Sequence, residues 1–361
     1  MTDACLSPMQ DYALTVDRFL DHGAKWHGRA RLITAGEGDD AAVGYAELRD
    51  RANRLSGALL DLGLVPGDRI ATLAWNTQHH VEAWYAAMGV GLVCHTLNPR
   101  LTVAHLASMI RQAEDRVLIV GAGLASTAQA LVAACPCIEQ VILLDGDRSA
   151  SAPGRVPVRE VETLLDQHGR KVEWGQFDER SVAGLCFTSG TTGAPKGVAY
   201  THRSNYLHTI RSLQADVLAL MAQDVVLVAV PMFHANAWGL PFSAPAVGAS
   251  LVLPGRATDG RSLARLIQDH GVTVAVGVPT VWLGLLDNLD AAGGETPTLE
   301  RIIIGGSSCP DSLLQRMESR LGCTVQTSWG MTELSPLGTC APPVDPSRSA
   351  QLSGRPAVGV D

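Results

Sequence analysis

The sequence predicts an α/β protein with two mostly parallel sheet lobes, each flanked by helices. The chain has 361 residues, of which 46% are hydrophobic, so it exceeds the usual length of one domain and can fill large cores. Short apolar runs alternate with stretches of helical periodicity, an alternation typical of parallel sheets covered by helices. We therefore predict one lobe over residues 1–157, a second over 158–340 and the start of a connection over 341–361.

The elements of the first lobe follow from this alternation. Apolar residues recur at helical spacing between Tyr45 and Leu62, and Gly63 then provides a helix stop. Further strands and helices are predicted at 69–75, 81–88, 91–94, 116–120, 124–134 and 140–144. The segment 149–157 is rich in Ser, Ala and Pro, so we predict an exposed connection there that forms the internal boundary.

The second lobe repeats the pattern. Its strands are predicted at 182–187, 198–201, 225–230, 250–253, 272–276 and 301–304, with helical stretches between most of them. Residues 341–361 contain several prolines and little periodicity, which predicts a connection instead of a completed element.

Composition and charge exclude several classes of protein. The formal net charge is -8 with both signs interspersed, so the chain has no basic stripe for nucleic acid. It has neither an apolar run of about 18 residues nor a basic start followed by an apolar run, which argues against a membrane span and against export. The eight cysteines lack zinc spacing and are expected to be reduced thiols, although the pair around Pro136 leaves a metal or redox site as the less favoured alternative. The sequence thus predicts a cytoplasmic globular protein.

A glycine- and hydroxyl-rich loop is the strongest chemical signal. It follows the apolar strand 182–187 directly and contains the candidate phosphate-binding residues Thr188, Ser189, Gly190, Thr191, Thr192, Gly193 and Lys196. The glycines let backbone N–H groups approach an anion, the hydroxyls add donors, and the lysine adds a positive charge. A Walker A loop would need a glycine where Pro195 stands, Ser or Thr at Gly197, and a helix afterwards. A flexible surface linker is the remaining alternative.

The loop from Thr188 to Gly197 resembles the signature loop of adenylate-forming enzymes, which include acyl-CoA synthetases, firefly-type luciferases and the adenylation domains of peptide synthetases. The resemblance implies that the loop wraps the β- and γ-phosphates of ATP. It also implies the fold, namely the N-terminal domain of these enzymes.

A second segment, 326–336, is similar to the aromatic-Gly-x-Thr-Glu motif of the same family. The resemblance implies that Trp329, Gly330, Met331 and Thr332 lie along the nucleotide. An aromatic ring can stack on adenine, a hydroxyl can bond the α-phosphate, and the Glu333 carboxylate can hold a hard cation. We predict Thr188 and Glu333 as the magnesium ligands.

Three further segments resemble the walls of the acyl site in this family. Gly305, Gly306 and Ser307 lie in a segment like the one that runs between adenine and acyl group, although a tight strand-to-helix turn would explain the same residues. His234 and Trp238 occur in a segment like the one bordering the acyl pocket, and the segment beginning at Val278 resembles bacterial medium- and long-chain synthetases. His234 also stands where amino-acid adenylation domains place an aspartate, so an amino-acid substrate would leave its ammonium unpaired. An uncharged, lipophilic acid fits better.

The resemblance implies an acyl-CoA synthetase that uses ATP, Mg²⁺ and CoA on a medium- or long-chain fatty acid. In the family the carboxylate attacks the α-phosphorus of ATP, and CoA then displaces AMP. We predict Lys196, Thr332, Glu333 and His234 as the catalytic residues, and we expect a homodimer because members of the subgroup often dimerise. A ligase for short thioether or aryl acids is the nearby alternative.

The resemblance also implies parts that these 361 residues do not contain. Family members continue through a small β-barrel, which holds a ribose-binding aspartate, and through a mobile C-terminal domain that brings a catalytic lysine. Asp361 does not lie in the ribose motif. We therefore expect the 361-residue form to bind ATP weakly and to make little acyl-CoA. The alternative from another class is a nucleotide- or acyl-binding protein, or a partner that dimerises with complete synthetases.

Overall fold

The computed structural model describes residues 9–36, 38–145, 155–188, 195–345 and 348–361. In chain order, the helices of this part are α1 Asp17–Trp26, α2 Tyr45–Asp61, α3 Gln78–Gly89, α4 Val103–Ala113, α5 Ala125–Ala134, α6 Val161–His168, α7 His202–Ser212, α8 Leu240–Val247, α9 Gly260–His270, α10 Pro279–Ala292 and α11 Asp311–Leu321. The strands are β1 Arg31–Thr34, β2 Ala41–Gly44, β3 Arg69–Leu73, β4 Val93–Leu97, β5 Val117–Val120, β6 Gln140–Leu143, β7 Val158–Glu160, β8 Val182–Thr188, β9 Lys196–Thr201, β10 Val225–Val228, β11 Ser250–Leu253, β12 Val274–Gly277, β13 Arg301–Ile304, β14 Thr324–Gly330, β15 Leu337–Cys340 and β16 Arg355–Pro356.

Two mostly parallel sheets carry the fold, as the sequence predicts. The seven-stranded sheet has the order β7-β6-β5-β3-β4-β8-β9, and only its last pair, β8 with β9, is antiparallel. The nine-stranded sheet has the order β16-β15-β14-β13-β12-β10-β11-β1-β2, with antiparallel pairs at both ends. Helices connect most of the consecutive parallel strands, so each sheet contains the expected βαβ units.

The two sheets do not follow the sequence break at residue 157. Strands β8 and β9 come after the break, yet Cys94 of β4 lies opposite Gly184 of β8 in the first sheet. Strands β1 and β2 come before it, yet Leu32 of β1 lies opposite Leu251 of β11 in the second sheet. A strand joins the sheet where its side chains are buried, and local sequence patterns do not encode that choice. Each sheet therefore contains strands from both sides of residue 157, and the division into domains stays a prediction.

A shared core joins the sheets. Helix α3 is buried on all sides, which explains why the segment 81–88 is apolar without a polar stripe. The Tyr85 hydroxyl of α3 donates to the Pro241 carbonyl at 2.9 Å. Pro241 belongs to α8, the helix between strands β10 and β11 of the second sheet. The rings of Trp84 and Tyr85 both pack near Phe242, with centroids 5.9 and 5.8 Å away. The sheets are thus held in a fixed relation by aromatic packing.

Two further features bear on the sequence predictions. Within the described residues, no helix is both long and apolar enough to cross a membrane.

The seven cysteines of these residues are free, and Cys135 and Cys137 have pKa values raised by burial, so neither is an activated thiol.

Candidate active site

The strands on either side of the predicted phosphate loop, β8 and β9, pair as an antiparallel hairpin, called the phosphate hairpin below. Thr188 ends β8 and lies directly opposite Lys196, which begins β9. Ser189, Gly190, Thr191, Thr192 and Gly193 lie outside the described residues. Because β9 follows the loop where a Walker A loop would lead into a helix, the distinction drawn from the sequence is confirmed.

The Trp329 motif forms the end of β14 and a tight turn. Trp329 is 49% exposed, and a Cβ added to Gly338 would lie 2.7 Å from its ring. One ring face therefore rests on the backbone of β15, and the indole stays accessible for stacking. Gly330 is needed for the turn, since a Cβ there would lie 2.4 Å from the Pro336 carbonyl oxygen, which accepts the Met331 N–H at 3.0 Å. The turn brings Thr332 and Glu333 to the cleft.

The segment after β10 adopts an unusual backbone. Residues 235–238 have φ between 45° and 54°, and Gly239 follows at 77°. The left-handed region costs a residue with a side chain about 1–2 kcal/mol, so surrounding contacts must hold this turn in place. The turn directs the Trp238 side chain into the cleft. Just before it, the His234 side chain is exposed to the cleft, while desolvation by the surrounding protein lowers its pKa from the ordinary 6.5.

Trp238 packs against the segment after β13. A Cβ added to Gly305 would lie 2.5 Å from Ser328 Oγ and 3.2 Å from Trp238 Cη2. A Cβ on Gly306 would lie 3.2 Å from Val278 Cγ1 and 3.7 Å from Trp238 Cζ2. The four residues predicted for the acyl wall besides His234 thus lie together. Close approach favours glycine at 305, and a φ of 79° favours glycine at 306.

These segments enclose one cleft of about 630 Å³ at the carboxyl ends of the parallel strands. Its lining residues are Thr188, Lys196, His234, Ala235, Trp238, Gly306, Ser328, Trp329, Gly330, Met331, Thr332, Glu333, Pro336 and Leu337. The structure therefore brings together the four predicted catalytic residues, the two predicted magnesium ligands and most of the described nucleotide residues. Ala235 and Ser328 were not predicted to line the cleft, although each is next in sequence to a predicted residue, His234 or Trp329. Pro336 ends the segment that resembles the nucleotide motif. Leu337 lines the cleft because the chain turns back after Glu333, which no sequence signal indicated.

Two of the predicted residues line smaller cavities instead of the cleft. Ser307 does not line the cleft; it lines a cavity of about 310 Å³ together with Thr327 and Gln351, and Ser328 lines both spaces. Val278 does not line the cleft either; it lines a separate cavity of about 120 Å³ together with Phe233.

The cleft offers oxygen ligands for a magnesium ion. Thr188 supplies a hydroxyl and Glu333 a carboxylate, both hard donors of the kind Mg²⁺ prefers. In the part of the chain that the structure describes, no group of three or more His, Cys, Asp or Glu side chains could hold a metal by itself. The donor set therefore fits an ion that is completed by substrate phosphates and water.

The sequence pattern of one family, the AMP-binding enzymes, matches residues 19–361. The chain belongs to the AMP-binding enzyme family. The predicted family and the prediction of an enzyme are therefore confirmed.

Curated relatives within the family are ligases of several acids. The medium-chain-fatty-acid–CoA ligase of Ectopseudomonas oleovorans is 40% identical over 99% of this chain and 67% of its own length. A 3-methylmercaptopropionyl-CoA ligase of Ruegeria lacuscaerulensis is also 40% identical, over 99% of this chain and 68% of its own. The long-chain-fatty-acid–CoA ligase of Thermus thermophilus is 41% identical over 92% of this chain and 60% of its own. The chain thus spans about two thirds of the length of these AMP-binding relatives.

A solved structure supports the fold. The anthranilate CoA ligase AuaEII, in complex with anthranoyl-AMP, superimposes with a TM-score of 0.85 at 20% identity, over 99% of this chain and 67% of that one. The predicted α/β fold of an AMP-binding enzyme is therefore confirmed.

Proposed function

We propose that this chain binds ATP with Mg²⁺ in the cleft and activates a lipophilic carboxylic acid as an acyl-adenylate, which the whole protein passes to CoA. One observation carries the proposal: the phosphate hairpin, the Thr332–Glu333 turn and the Trp238–Gly306 wall line the same cleft. A nucleotide and an acid bound there would meet. Family membership and relatives named as CoA ligases support the same reaction.

The side chains of the cleft have separate tasks in this reaction. A carboxylate that attacks a polyanion needs its approach positioned and the repulsion neutralised. Lys196 supplies positive charge beside the phosphates, and the Thr332 hydroxyl donates a hydrogen bond to the phosphate that is attacked. Magnesium, held by Thr188 and Glu333, would neutralise further phosphate charge. The exposed ring of Trp329 offers a stacking surface for adenine.

His234 contributes as a neutral group. Desolvation lowers its pKa below 6.5, so its imidazole is uncharged at neutral pH and can both donate and accept a hydrogen bond. It lines the cleft directly before the left-handed turn that carries Trp238, and we assign it to orienting the acid's carboxylate. Homodimer formation and a cytoplasmic location stay predictions.

The first test removes the phosphate-binding lysine. Lys196→Ala is expected to weaken Mg-ATP binding by about 10- to 100-fold, because it removes a charge-assisted hydrogen bond. AMP binding should change less, since AMP lacks the β- and γ-phosphates. Isothermal titration calorimetry of the 361-residue chain measures both affinities.

The matched control is Lys171→Ala, which removes a lysine that does not line the cleft. The Lys171 side chain is 69% exposed, and its Nζ forms an ion pair with Asp50 at 2.7 Å. This variant should bind Mg-ATP like the unmodified chain. Equal ATP affinities for the Lys196 and Lys171 variants would overturn the assignment of the loop.

The acid is proposed to be a medium- or long-chain fatty acid. Among the described residues Glu333 is the single acidic side chain that lines the cleft, so an ammonium on the substrate has no other partner there. The relatives named for a medium-chain acid and for 3-methylmercaptopropionate are equally similar at 40%, so identity does not separate the two acids. Chain length is the property to test.

Octanoate is expected to bind the Mg-ATP complex about 50-fold more tightly than 3-(methylthio)propanoate, because its chain is three atoms longer and each added methylene is buried at about 0.8 kcal/mol. Calorimetric titration with octanoate, palmitate and the thioether acid measures the series, with phenylalanine as the ammonium-bearing control. If the thioether acid binds as tightly as octanoate, the substrate is a short acid.

A further inference from the structure

A buried histidine on α7 lies between the acyl side and the nucleotide side of the cleft. His208 is 1% exposed, and its Nε2 accepts a hydrogen bond from the Leu337 N–H at 3.2 Å. On its other side, a Cβ added to Gly239 would lie 2.8 Å from His208 Cε1 and 2.9 Å from Nδ1. The ring thus fills the space between two backbone segments, one leading from Trp238 and the other returning from Glu333.

The hydrogen bond fixes the chemical state of the ring. A backbone N–H can only donate, so Nε2 must be unprotonated and the ring proton must lie on Nδ1. Burial lowers the pKa of His208 to about 3, which agrees with a neutral ring. A neutral imidazole is short, rigid and flat, so it transmits displacement between the segments it touches.

Helix α7 holds the same segment at a second point. The Arg211 guanidinium lies one turn beyond His208 and donates to the Leu337 carbonyl at 2.8 Å and to the Leu334 carbonyl. Both backbone groups of Leu337 are therefore held by α7. The helix begins directly after β9, whose first residue is Lys196. One continuous piece of chain thus links the phosphate hairpin, the turn after Glu333 and the left-handed turn at Trp238.

We propose that His208 is a positioning residue that couples the left-handed turn of the acyl wall to the Leu337 side of the nucleotide site. The inference rests on the proposed function, because it needs an acid and a nucleotide that bind on the two sides. Trp238 and Leu337 line one cleft, and the 235–239 turn is held in a strained conformation by its neighbours. A shift of Leu337 on nucleotide binding moves the ring, and the ring moves Gly239 and Trp238.

The test measures coupling between two ligands in the 361-residue chain. Octanoate affinity is determined by calorimetry with and without saturating Mg-ATP, and the ratio of the two values is the coupling factor. We expect a factor of at least 5 in the unmodified chain. In His208→Leu, which keeps the bulk and removes the acceptor, the factor should fall below 2 while each ligand still binds alone. His208→Gln, which places an oxygen near the Nε2 position, should restore most of it.

The outcomes are distinguishable. If neither Mg-ATP nor octanoate binds the unmodified chain, the proposed function fails. If both bind and the coupling factor is near 1, or if His208→Leu keeps full coupling and loses only stability, the role of His208 is overturned.

A measurement on the unmodified chain serves where the variants do not fold. In the spectrum of ¹⁵N-histidine-labelled protein, the His208 ring should be Nδ1-protonated and uncharged at pH 5, and its Nε2 resonance should shift on adding Mg-ATP and again on adding octanoate. A ring that responds to one ligand alone contradicts the coupling.

Discussion

Gly305 shows how a single residue shapes the acyl wall. It lies just beyond β13, where Ser328 of the neighbouring strand donates through Oγ to the Ile304 carbonyl at 3.0 Å. That bond brings Ser328 Oγ to within 2.5 Å of the position that a Cβ on residue 305 would occupy. Trp238 closes the same space from the other side. The sequence identified Gly305 through a resemblance, while the reason for a glycine is a contact with a residue 23 positions away in the chain.

Gly305→Ala is therefore expected to lower the free energy of unfolding by about 1–3 kcal/mol, because the added methyl overpacks a rigid site. Octanoate binding should weaken about tenfold as Trp238 and β14 are displaced. Urea denaturation and calorimetry measure the two effects.

Gly284→Ala is the matched control for this substitution. Gly284 lies inside helix α10, and the nearest heavy atom to its added Cβ is 4.0 Å away. Alanine should raise the stability there by about 0.5–1 kcal/mol and leave octanoate binding unchanged. Unaltered stability and octanoate affinity in Gly305→Ala would remove the close-approach argument for the acyl wall.

At the scale of elements, strand β14 is positioned by a buried polar network that the sequence did not indicate. The Gln326 amide nitrogen donates to the Val217 and Ala341 carbonyls, each at 2.8 Å, and its oxygen accepts from Arg301 at 3.1 Å. Arg301 also donates to the Leu218 carbonyl at 2.6 Å. Such a network stabilises a unique arrangement only when every member is satisfied, so it fixes the strand that presents Trp329.

Local patterns predicted most of the elements around the site. Strands β11 and β13 have the predicted bounds, and helix α2 ends one residue earlier than predicted. These elements have strong periodicity or short apolar runs between turn residues. Strand β15 was missed because Leu337–Cys340 is short and contains a glycine, and it exists only by pairing with β14. The motifs gave the cleft residues, while Ser307 faces a neighbouring cavity because the chain turns away after Gly306.

At the scale of the whole molecule, several buried ionisable groups link stability to pH. Burial lowers the pKa of His80 to about 4 and those of His202 and His208 to about 3, against 6.5 in the unfolded chain. The unfolded state therefore binds up to three more protons as the pH falls below 6.5, which destabilises the fold. Asp17 acts in the opposite direction, since burial raises its pKa from 3.8 to about 6 and the folded state takes up its proton first.

The three histidines outweigh the one aspartate, so the free energy of unfolding should fall on the order of 5 kcal/mol between pH 6.5 and pH 4.5. Urea denaturation at pH 7, 5.5 and 4.5 measures this slope. His80→Gln removes one of the three groups, at a ring held by the Trp75 carbonyl and the Thr72 hydroxyl, and should reduce the slope by about two fifths whatever it does to stability at pH 7. His105→Gln, at an exposed histidine of α4, should leave the slope as it is. A His80 variant with the full slope would mean that this ring is already protonated in the fold or does not charge on unfolding, and the acid sensitivity would then have to come from His202, His208 or other groups.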